Sequence, residues 1–254
     1  GKDHSSQGGS YDTGCDIIRK VWKKEPPDYV QYDFVLAKGL GSKLSSSSGN
    51  LITVAEALAI YEPAVIRWIF ASRKPNLDFS IAFDLDVMKA YDDFDRSERS
   101  AYGVEPGDEK KISYEKRIYE FATTTAIKNY GTLPGQFSFR HLCNILQIYE
   151  GDIENAKAYY KDLPGFDGAR FTSRAERAWK WITTFAPEDF RFKLNENPTH
   201  KSVFPEALKA LVSLLESSGK LSEEELAGKT FEIMKSQGIE PKKFFEDMYT
   251  LLVG

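Results

Sequence analysis

The chain has 254 residues, of which 41% are hydrophobic, 13% aromatic and 28% charged. This composition is typical of a folded globular protein and excludes a disordered chain, whereas the length allows one large domain or two of ordinary size. No apolar run approaches the roughly 18 residues that a membrane span requires, and the first residues show no signal-peptide pattern. The sequence therefore predicts neither membrane insertion nor secretion.

Cysteine usage and net charge restrict the class further. Cys15 and Cys143 are far apart and outside any CxxC motif, which excludes a disulfide framework and a cysteine-based zinc site. A reducing cytoplasm is therefore the expected compartment. The net charge of -4 argues against a nucleic-acid partner, because phosphate binding usually requires a basic surface. Whether the protein binds nucleic acid depends on where the charges lie rather than on their sum.

The first third of the sequence mixes turns, helices and one strand. A glycine-rich turn at residues 8–10 precedes an amphipathic helix from Asp12 to Trp22, and Pro26-Pro27 ends it. Apolar residues then alternate from Tyr29 to Leu36, with extra bulk on the second face. This period of two predicts a largely buried strand.

A polar, glycine-rich stretch follows this predicted strand. Residues 38–50, KGLGSKLSSSSGN, are unsuited to a helix or strand interior and are predicted to form a loop. Thr53 and Glu56 form a capping box, so a helix begins directly after the loop. Nucleotide-binding α/β domains contact phosphate between a strand and a helix in this way. Lys38 and Lys43 bracket hydroxyls and glycines that could approach phosphate oxygens.

The rest of the sequence reads as almost entirely helical. Pro63 suits the first turn of a helix, and the capping-box signature recurs at Ser173 and Ser222. Segment 97–111 is charged, contains glycine and proline, and is predicted to be a linker. The later predicted helices are Val87–Phe94, Tyr114–Thr124, Ser138–Glu150, Asp152–Lys161, Ser173–Phe185, Phe204–Leu215, Ser222–Lys235 and Phe244–Leu252.

Three short motifs together resemble one enzyme family. KLSSS at Lys43 to Ser47 resembles the KMSKS loop of class I aminoacyl-tRNA synthetases, and GKDH at Gly1 to His4 resembles the adenylate-contacting segment upstream of that loop. Their combination with GGSYDTG at Gly8 to Gly14 is similar to class I lysyl-tRNA synthetase specifically. The resemblance is specific over roughly the first hundred residues. Beyond them it depends on the helical character expected of the family's anticodon-binding domain.

This resemblance implies a fold class and a domain organisation. The expected protein is mainly α with a small α/β part, in which a partial Rossmann-type catalytic domain precedes an all-helical anticodon-binding domain. Residues 1–70 would form the C-terminal part of the catalytic domain with the KMSKS-like loop, 71–112 a helical connector and linker, and 113–254 the anticodon-binding domain. The HIGH-like motif of the family is absent, so the chain is expected to be truncated and inactive alone.

The resemblance also implies a reaction. Lysine and ATP would give lysyl-adenylate and pyrophosphate, and the lysyl group would then move to tRNA(Lys). ATP would act with Mg²⁺, no metal site is evident in the chain, and a monomer without a membrane partner is expected. Two alternatives remain open: a glutamyl-type class I synthetase and a non-catalytic tRNA-binding module.

The KMSKS-like loop would supply the catalytic residues. Lys43 would stabilise the charge that develops on the leaving pyrophosphate, and Ser45, Ser46 and Ser47 complete the loop. Ser46 stands where the consensus has its second lysine. Lys43, Lys38 or a residue outside this chain must therefore compensate.

Other residues would bind the substrates. By the same resemblance, Gly1 and Asp3 would contact the adenylate ribose as part of the ATP site that includes Lys43. His4 and Tyr32 would form part of the lysine pocket, since an imidazole and a phenol can accept a hydrogen bond from an ammonium group while their rings enclose its methylene stem.

Basic and aromatic residues interleave between residues 170 and 201. Single-stranded anticodon bases bind by stacking on aromatic rings and by hydrogen bonds to their edges, so this stretch is a candidate tRNA contact. The residues expected to take part are Arg174, Arg177, Trp181 and Phe204.

Overall fold

A computed structural model describes residues 4–39, 52–124, 131–219 and 221–253. The chain divides into two compact units, Gly1–Arg191 and Phe192–Gly254. The described residues are mostly helical and include one small parallel sheet, which confirms the coarse fold class. Within these ranges, none of the helices is long and apolar enough to cross a membrane.

The first helix agrees with the sequence, whereas the segment after it does not. Helix α1, Ser10–Ile17, continues through a π-helical turn, Ile18–Trp22. The predicted strand from Tyr29 to Leu36 is wrong over most of its length, because residues 23–34 have no regular structure. Val30 and Tyr32 are 74% and 59% exposed. Alternating apolar residues form a buried strand only where another strand pairs with them, and here pairing begins at Val35.

The sheet consists of two short parallel strands. β1, Val35–Lys38, pairs with β2, Phe79–Ala82, in the register Val35 with Phe79 and Lys38 with Ala82. The sequence did not predict β2, which is only four residues long. Parallel neighbours need a long crossover, and this one contains α2, Val54–Ile60, and α3, Pro63–Ala71.

Local signals define both crossover helices. Thr53 Oγ1 accepts a hydrogen bond from the Glu56 backbone N–H at 3.2 Å, and Glu56 Oε2 accepts from the Thr53 N–H at 2.8 Å. This confirms the capping box at the start of α2. Pro63 occupies the first turn of α3, as its fixed φ angle favours.

The predicted linker at residues 97–111 is wrong. Helix α4, Asp86–Ala101, and helix α5, Glu109–Thr123, leave only residues 102–108 between them. Glu98 is buried in α4, where it accepts hydrogen bonds from Arg170 and Tyr119. Burial alone would raise the pKa of Glu98, but the hydrogen bonds and charge of Arg170, together with hydrogen bonds from Gln136 and Tyr119, outweigh it and lower the pKa. The charge of Glu98 therefore marks buried ion pairing rather than solvation.

The described part of the first unit also contains α6, Phe139–Ile148, α7, Ile153–Tyr160, α8, Gly168–Thr184, and a short 3-10 helix, Glu188–Phe190. The predicted helix start at Ser173 is wrong, since α8 begins five residues earlier, at Gly168. Asp167 caps it by accepting from the backbone N–H groups of Ala169 and Arg170 at 2.8 and 3.0 Å.

One hydrophobic core joins the helices of the first unit to the sheet, with side chains from α2 through α8 and both strands in contact. The boundary expected between residues 112 and 113 falls inside α5, which packs against α3 and α4. The compact unit therefore continues to Arg191. The assignment of residues 113–254 to anticodon binding stays a prediction.

The second unit contains three helices among its described residues: α9, Pro205–Ser217, α10, Glu223–Ser236, and α11, Pro241–Val253. The capping box at Ser222 is confirmed. Asp247 of α11 lies 2.7 Å from His200 Nε2 and also accepts from Ser202. Burial alone would raise the pKa of Asp247, but these hydrogen bonds outweigh it and lower the pKa. The segment before α9 is thus held against α11.

We predict that Asp95→Ala lowers the free energy of unfolding by about 3 to 5 kcal/mol, because it leaves the buried Arg174 guanidinium without its bidentate partner. Urea denaturation followed by tryptophan fluorescence measures the change. Asp16→Ala is the matched control, since it removes an exposed ion pair with Lys20 and should change stability little. Similar effects of both substitutions would contradict the prediction.

Candidate functional site

The carboxyl ends of the two strands form the candidate site. Because β1 and β2 are parallel, the chain leaves both at the same edge, where the Phe83 N–H donates to the Lys38 carbonyl at 2.9 Å. We call Lys38, Gly39, Phe83 and Asp84 the carboxyl edge. Open α/β sheets bind ligands outside this end of their strands. Residues 40–51, which carry the KMSKS-like sequence, follow this edge directly.

Lys38 is engaged by two carboxylates at the carboxyl edge. Its Nζ donates to Asp86 Oδ2 and lies 3.5 Å from Asp84 Oδ2. The Asp86 hydrogen bond raises the pKa of Lys38. One cation thus meets two anions, so Lys38 does not present a free positive charge to a phosphate in this arrangement.

Gly39 allows the backbones of the carboxyl edge to approach closely. Its φ of +92° lies in the left-handed region that glycine adopts without steric cost. A Cβ atom at this position would lie 2.8 Å from the Asp84 backbone N and 2.9 Å from the Asp84 Cβ. Both the backbone angle and the space therefore require glycine where the chain turns from β1.

Two clefts lie on opposite faces of the sheet. A polar cleft of about 190 Å³ extends from Lys38 and Asp86 to Arg73 and Lys89, between α3 and α4. An apolar groove of about 200 Å³ lies beside α2 and α3. Side chains alternate along each strand, which is why one face is polar here and the other apolar. The groove is lined mainly by Val35, Ile52, Val54, Leu58, Ile66, Phe70 and Ile81.

Most residues expected from the resemblance to act on ATP lie outside the described residues. These are Gly1, Asp3, Lys43, Ser45, Ser46 and Ser47. Their roles stay predictions.

The two residues expected to bind lysine are described. The ring Nδ1 of His4 lies 3.2 Å from Ser10 Oγ, at the start of α1. Tyr32 belongs to the irregular segment before β1, so its ring is mostly exposed and is not part of the core. The structure therefore corrects the strand environment of Tyr32 but leaves its side chain accessible.

Two of the expected tRNA contacts are wrong, because their side chains are completely buried. Arg174 donates to Asp95 at 2.7 and 2.9 Å and to Glu62 at 3.0 Å. Trp181 lies in the core and donates from Nε1 to the Phe83 carbonyl at 2.9 Å. Neither side chain reaches the surface on which RNA would bind.

The other two expected tRNA contacts are partly buried. Arg177 Nε donates to the Tyr61 carbonyl at 3.0 Å, and its Nη1 donates to the Ser173 carbonyl at 2.7 Å. Phe204 packs against the core of the second unit, with its ring centroid 6.3 Å from that of Phe244. Both side chains have structural partners, and their contact with RNA stays a prediction.

The sequence interpretation missed the acidic partners, although one signal was present. Arg174 occupies a core position of α8, between the buried Phe171 and Ala178. A cation within an apolar stripe requires a buried counter-charge. The spacing could therefore have identified Arg174 as a structural residue, whereas Glu62 and Asp95 are distant in sequence and could not be found.

The described residues contain no group of three or more His, Cys, Asp or Glu side chains that could hold a metal ion. Both cysteines are buried and free. Burial raises the pKa of the Cys143 thiol, which makes it a poor nucleophile. Among the described residues, the polar groups of the carboxyl edge thus remain as the candidates for ligand binding.

Comparison with known families identifies the class of the N-terminal segment. Residues 1–125 match the family model of class I tRNA synthetases (K). The matched residues include α1, both strands and helices α2 to α5. Residues 1–125, just under half of the chain, are thus similar to class I tRNA synthetases (K).

Similar proteins extend the match over the whole chain. The chain is 39% identical to the lysine–tRNA ligase of Borreliella burgdorferi, 38% identical to that of Treponema pallidum and 35% identical to that of Pyrococcus horikoshii. Each alignment covers 100% of this chain and 49%, 49% and 50% of the relative, respectively. The chain therefore spans about half the length of these relatives. The resemblance to class I lysyl-tRNA synthetases is confirmed.

We predict that Gly39→Ala destabilises the protein by about 1 to 3 kcal/mol, because alanine is strained at this φ and its methyl group would overlap Asp84. Thermal unfolding followed by circular dichroism measures the loss. Gly103→Ala is the control: its φ is also positive, at +72°, but no atom lies within 4 Å of the added methyl group. An equal loss would show that strain alone, without the close approach of the strands, determines the effect.

Proposed function

We propose that this chain is part of a lysine–tRNA ligase, which activates lysine with ATP in the presence of Mg²⁺ and transfers the lysyl group to tRNA(Lys) in the cytoplasm. The observation that carries the proposal is the similarity of the whole chain to lysine–tRNA ligases, together with the family match over residues 1–125. The carboxyl edge supports it, because this is where an α/β domain would hold a nucleotide.

Adenylation needs alignment and charge stabilisation rather than a covalent enzyme intermediate. The lysine carboxylate attacks the α-phosphate, and negative charge builds up on the departing pyrophosphate. Since Asp84 and Asp86 engage Lys38, we assign the compensating charge to Lys43, with Ser45 and Ser47 as hydrogen-bond donors to the phosphates. A loop cation whose contact strengthens in the transition state raises the rate of the chemical step.

The remaining roles are assigned to residues near the N-terminus and to the helical part of the chain. Gly1 and Asp3 bind the adenylate ribose, and His4 and Tyr32 bind the lysine side chain. The exposed ring of Tyr32 supports a role in lysine binding, because this ring is not packed in the core. Residues 113–254 contribute to anticodon binding, with Phe204 and Arg177 as contact residues.

We predict that the full-length protein containing this chain catalyses ATP–pyrophosphate exchange with lysine and not with glutamate. Exchange of radioactive pyrophosphate into ATP, measured with each amino acid, checks this expectation. Exchange with glutamate would favour a glutamyl-type synthetase. Binding of tRNA(Lys) without exchange would favour a non-catalytic tRNA-binding module.

Lys43→Ala in the full-length protein should slow lysyl-adenylate formation by about 100-fold, because it removes one preorganised charge from the transition state. The dissociation constant for lysine should change little, which single-turnover kinetics at varied lysine concentration would show. Lys24→Ala, at an exposed lysine after α1, is the control. A large loss of lysine affinity with an unchanged rate would instead place Lys43 in ground-state binding.

A further inference from the structure

Helix α5 presents aromatic and cationic side chains on its outer side. Lys110, Tyr114, Arg117 and Phe121 follow one another at intervals of three or four residues, which places them on one helix face. We call these four residues the basic aromatic face. Tyr114 is 57% exposed and Phe121 58%, and the Arg117 side chain is also largely exposed.

The core does not require these aromatic side chains. The opposite side of α5 supplies Ile118, Tyr119 and Ala122, which are buried against the rest of the first unit. The exposed rings therefore remain available although the inner face of the helix is already packed. Large aromatic residues at such a position indicate a surface that binds something.

Charge on the basic aromatic face indicates the kind of partner. The Arg117 guanidinium carbon lies 4.7 Å from the Phe121 ring centroid, and Lys110 and Lys111 are exposed at the start of the helix. Glu120 is 3.9 Å from Arg117, at the limit of an ion pair. Cations that alternate with accessible rings suit unpaired nucleotides, whose phosphates need positive charge and whose bases stack on aromatic side chains.

We propose that the basic aromatic face of α5 binds unpaired nucleotides of the tRNA. Tyr114 and Phe121 stack on bases, while Lys110 and Arg117 contact the phosphates beside them. The four residues span about 16 Å along the helix, enough for more than one nucleotide. This inference rests on the proposed function for the identity of the RNA, but the surface itself follows from the exposure and charge of α5.

The second unit supplies a matched control. Tyr249 on α11 is 57% exposed, the same fraction as Tyr114, and its ring stacks against Phe245 at a centroid distance of 6.3 Å. One turn before Tyr249 lies the carboxylate of Glu246, 3.8 Å from Lys242, whereas one turn after Tyr114 lies the cation of Arg117. A ring beside a carboxylate should contribute less to RNA affinity, because the carboxylate repels phosphates.

The test measures the dissociation constant of the 254-residue chain for a fluorescent tRNA(Lys) transcript by anisotropy at several salt concentrations. Tyr114→Leu and Phe121→Leu should each weaken binding by at least about fivefold. Arg117→Gln should weaken it and reduce the slope of log affinity against log salt by about 0.7. Tyr249→Leu should bind as the unsubstituted chain does, and circular dichroism should show the same helix content in every variant.

Unchanged affinity in Tyr114→Leu and Phe121→Leu, an equal loss in Tyr249→Leu, or no tRNA binding by the unsubstituted chain would overturn the proposal. So would concentration-dependent dimerisation that Tyr114→Leu abolishes without a change in RNA affinity, since the face would then bind a second copy. Lysine-dependent pyrophosphate exchange by the unsubstituted full-length enzyme tests the proposed function separately. Its absence would refute the proposed function, whereas the anisotropy measurements test the basic aromatic face.

Discussion

The buried Arg174 guanidinium is the interaction on which the first unit depends. It donates to both carboxylate oxygens of Asp95 on α4, to Glu62 at the start of α3 and to the Phe137 carbonyl. The guanidinium carbon of Arg174 also lies 4.9 Å from the centroid of the Tyr91 ring. Removing an arginine from water costs several kcal/mol, which is recovered only when all these acceptors are in place. The interaction therefore favours one arrangement of α3, α4 and α8 over other compact packings, because a displaced helix would leave a buried charge unpaired.

This constraint reaches the candidate site through the junction between α2 and α3. Glu62 precedes α3, the Tyr61 carbonyl accepts from Arg177, and the Tyr61 hydroxyl donates to the Ala82 carbonyl at the end of β2 at 2.7 Å. Helix α8 thus positions both the carboxyl edge and the helix that follows residues 40–51, although it lies outside the segment that matches the family model. The compact unit therefore extends beyond the segment that matches the family model. The sheet is too small to hold its own orientation, and helices from later in the chain supply the packing that it lacks.

Local sequence signals predicted two of the three capping boxes, at Thr53 and Ser222 but not at Ser173, and signals that depend on distant partners failed. The capping boxes at Thr53 and Ser222 were confirmed because both partners lie within one helical turn. The strand from Tyr29 to Leu36 was wrong because strand formation depends on pairing, which periodicity does not report. The linker at 97–111 was wrong because the partner of Glu98 is Arg170, 72 residues later. At the candidate site, the sequence placed Lys38 in the loop after a strand, whereas it is the last residue of β1, and could not show that Asp84 and Asp86 engage it.

The same ambiguity explains why α8 and α5 must be interpreted differently, although both interleave arginine with aromatic residues. In α8, Arg170 and Arg174 pair with Glu98 and Asp95 of α4, so their charge is neutralised, and Trp181 is buried in the core. In α5 the cations lie on the outer face, and the rings of Tyr114 and Phe121 remain accessible. A pattern of basic and aromatic residues thus indicates RNA binding only when the cations are not paired with buried carboxylates. Whether they are paired depends on the fold and cannot be told from the spacing of the residues in the sequence. The net charge of -4 is no obstacle, because a sum over the whole chain does not describe the charge of one helix face.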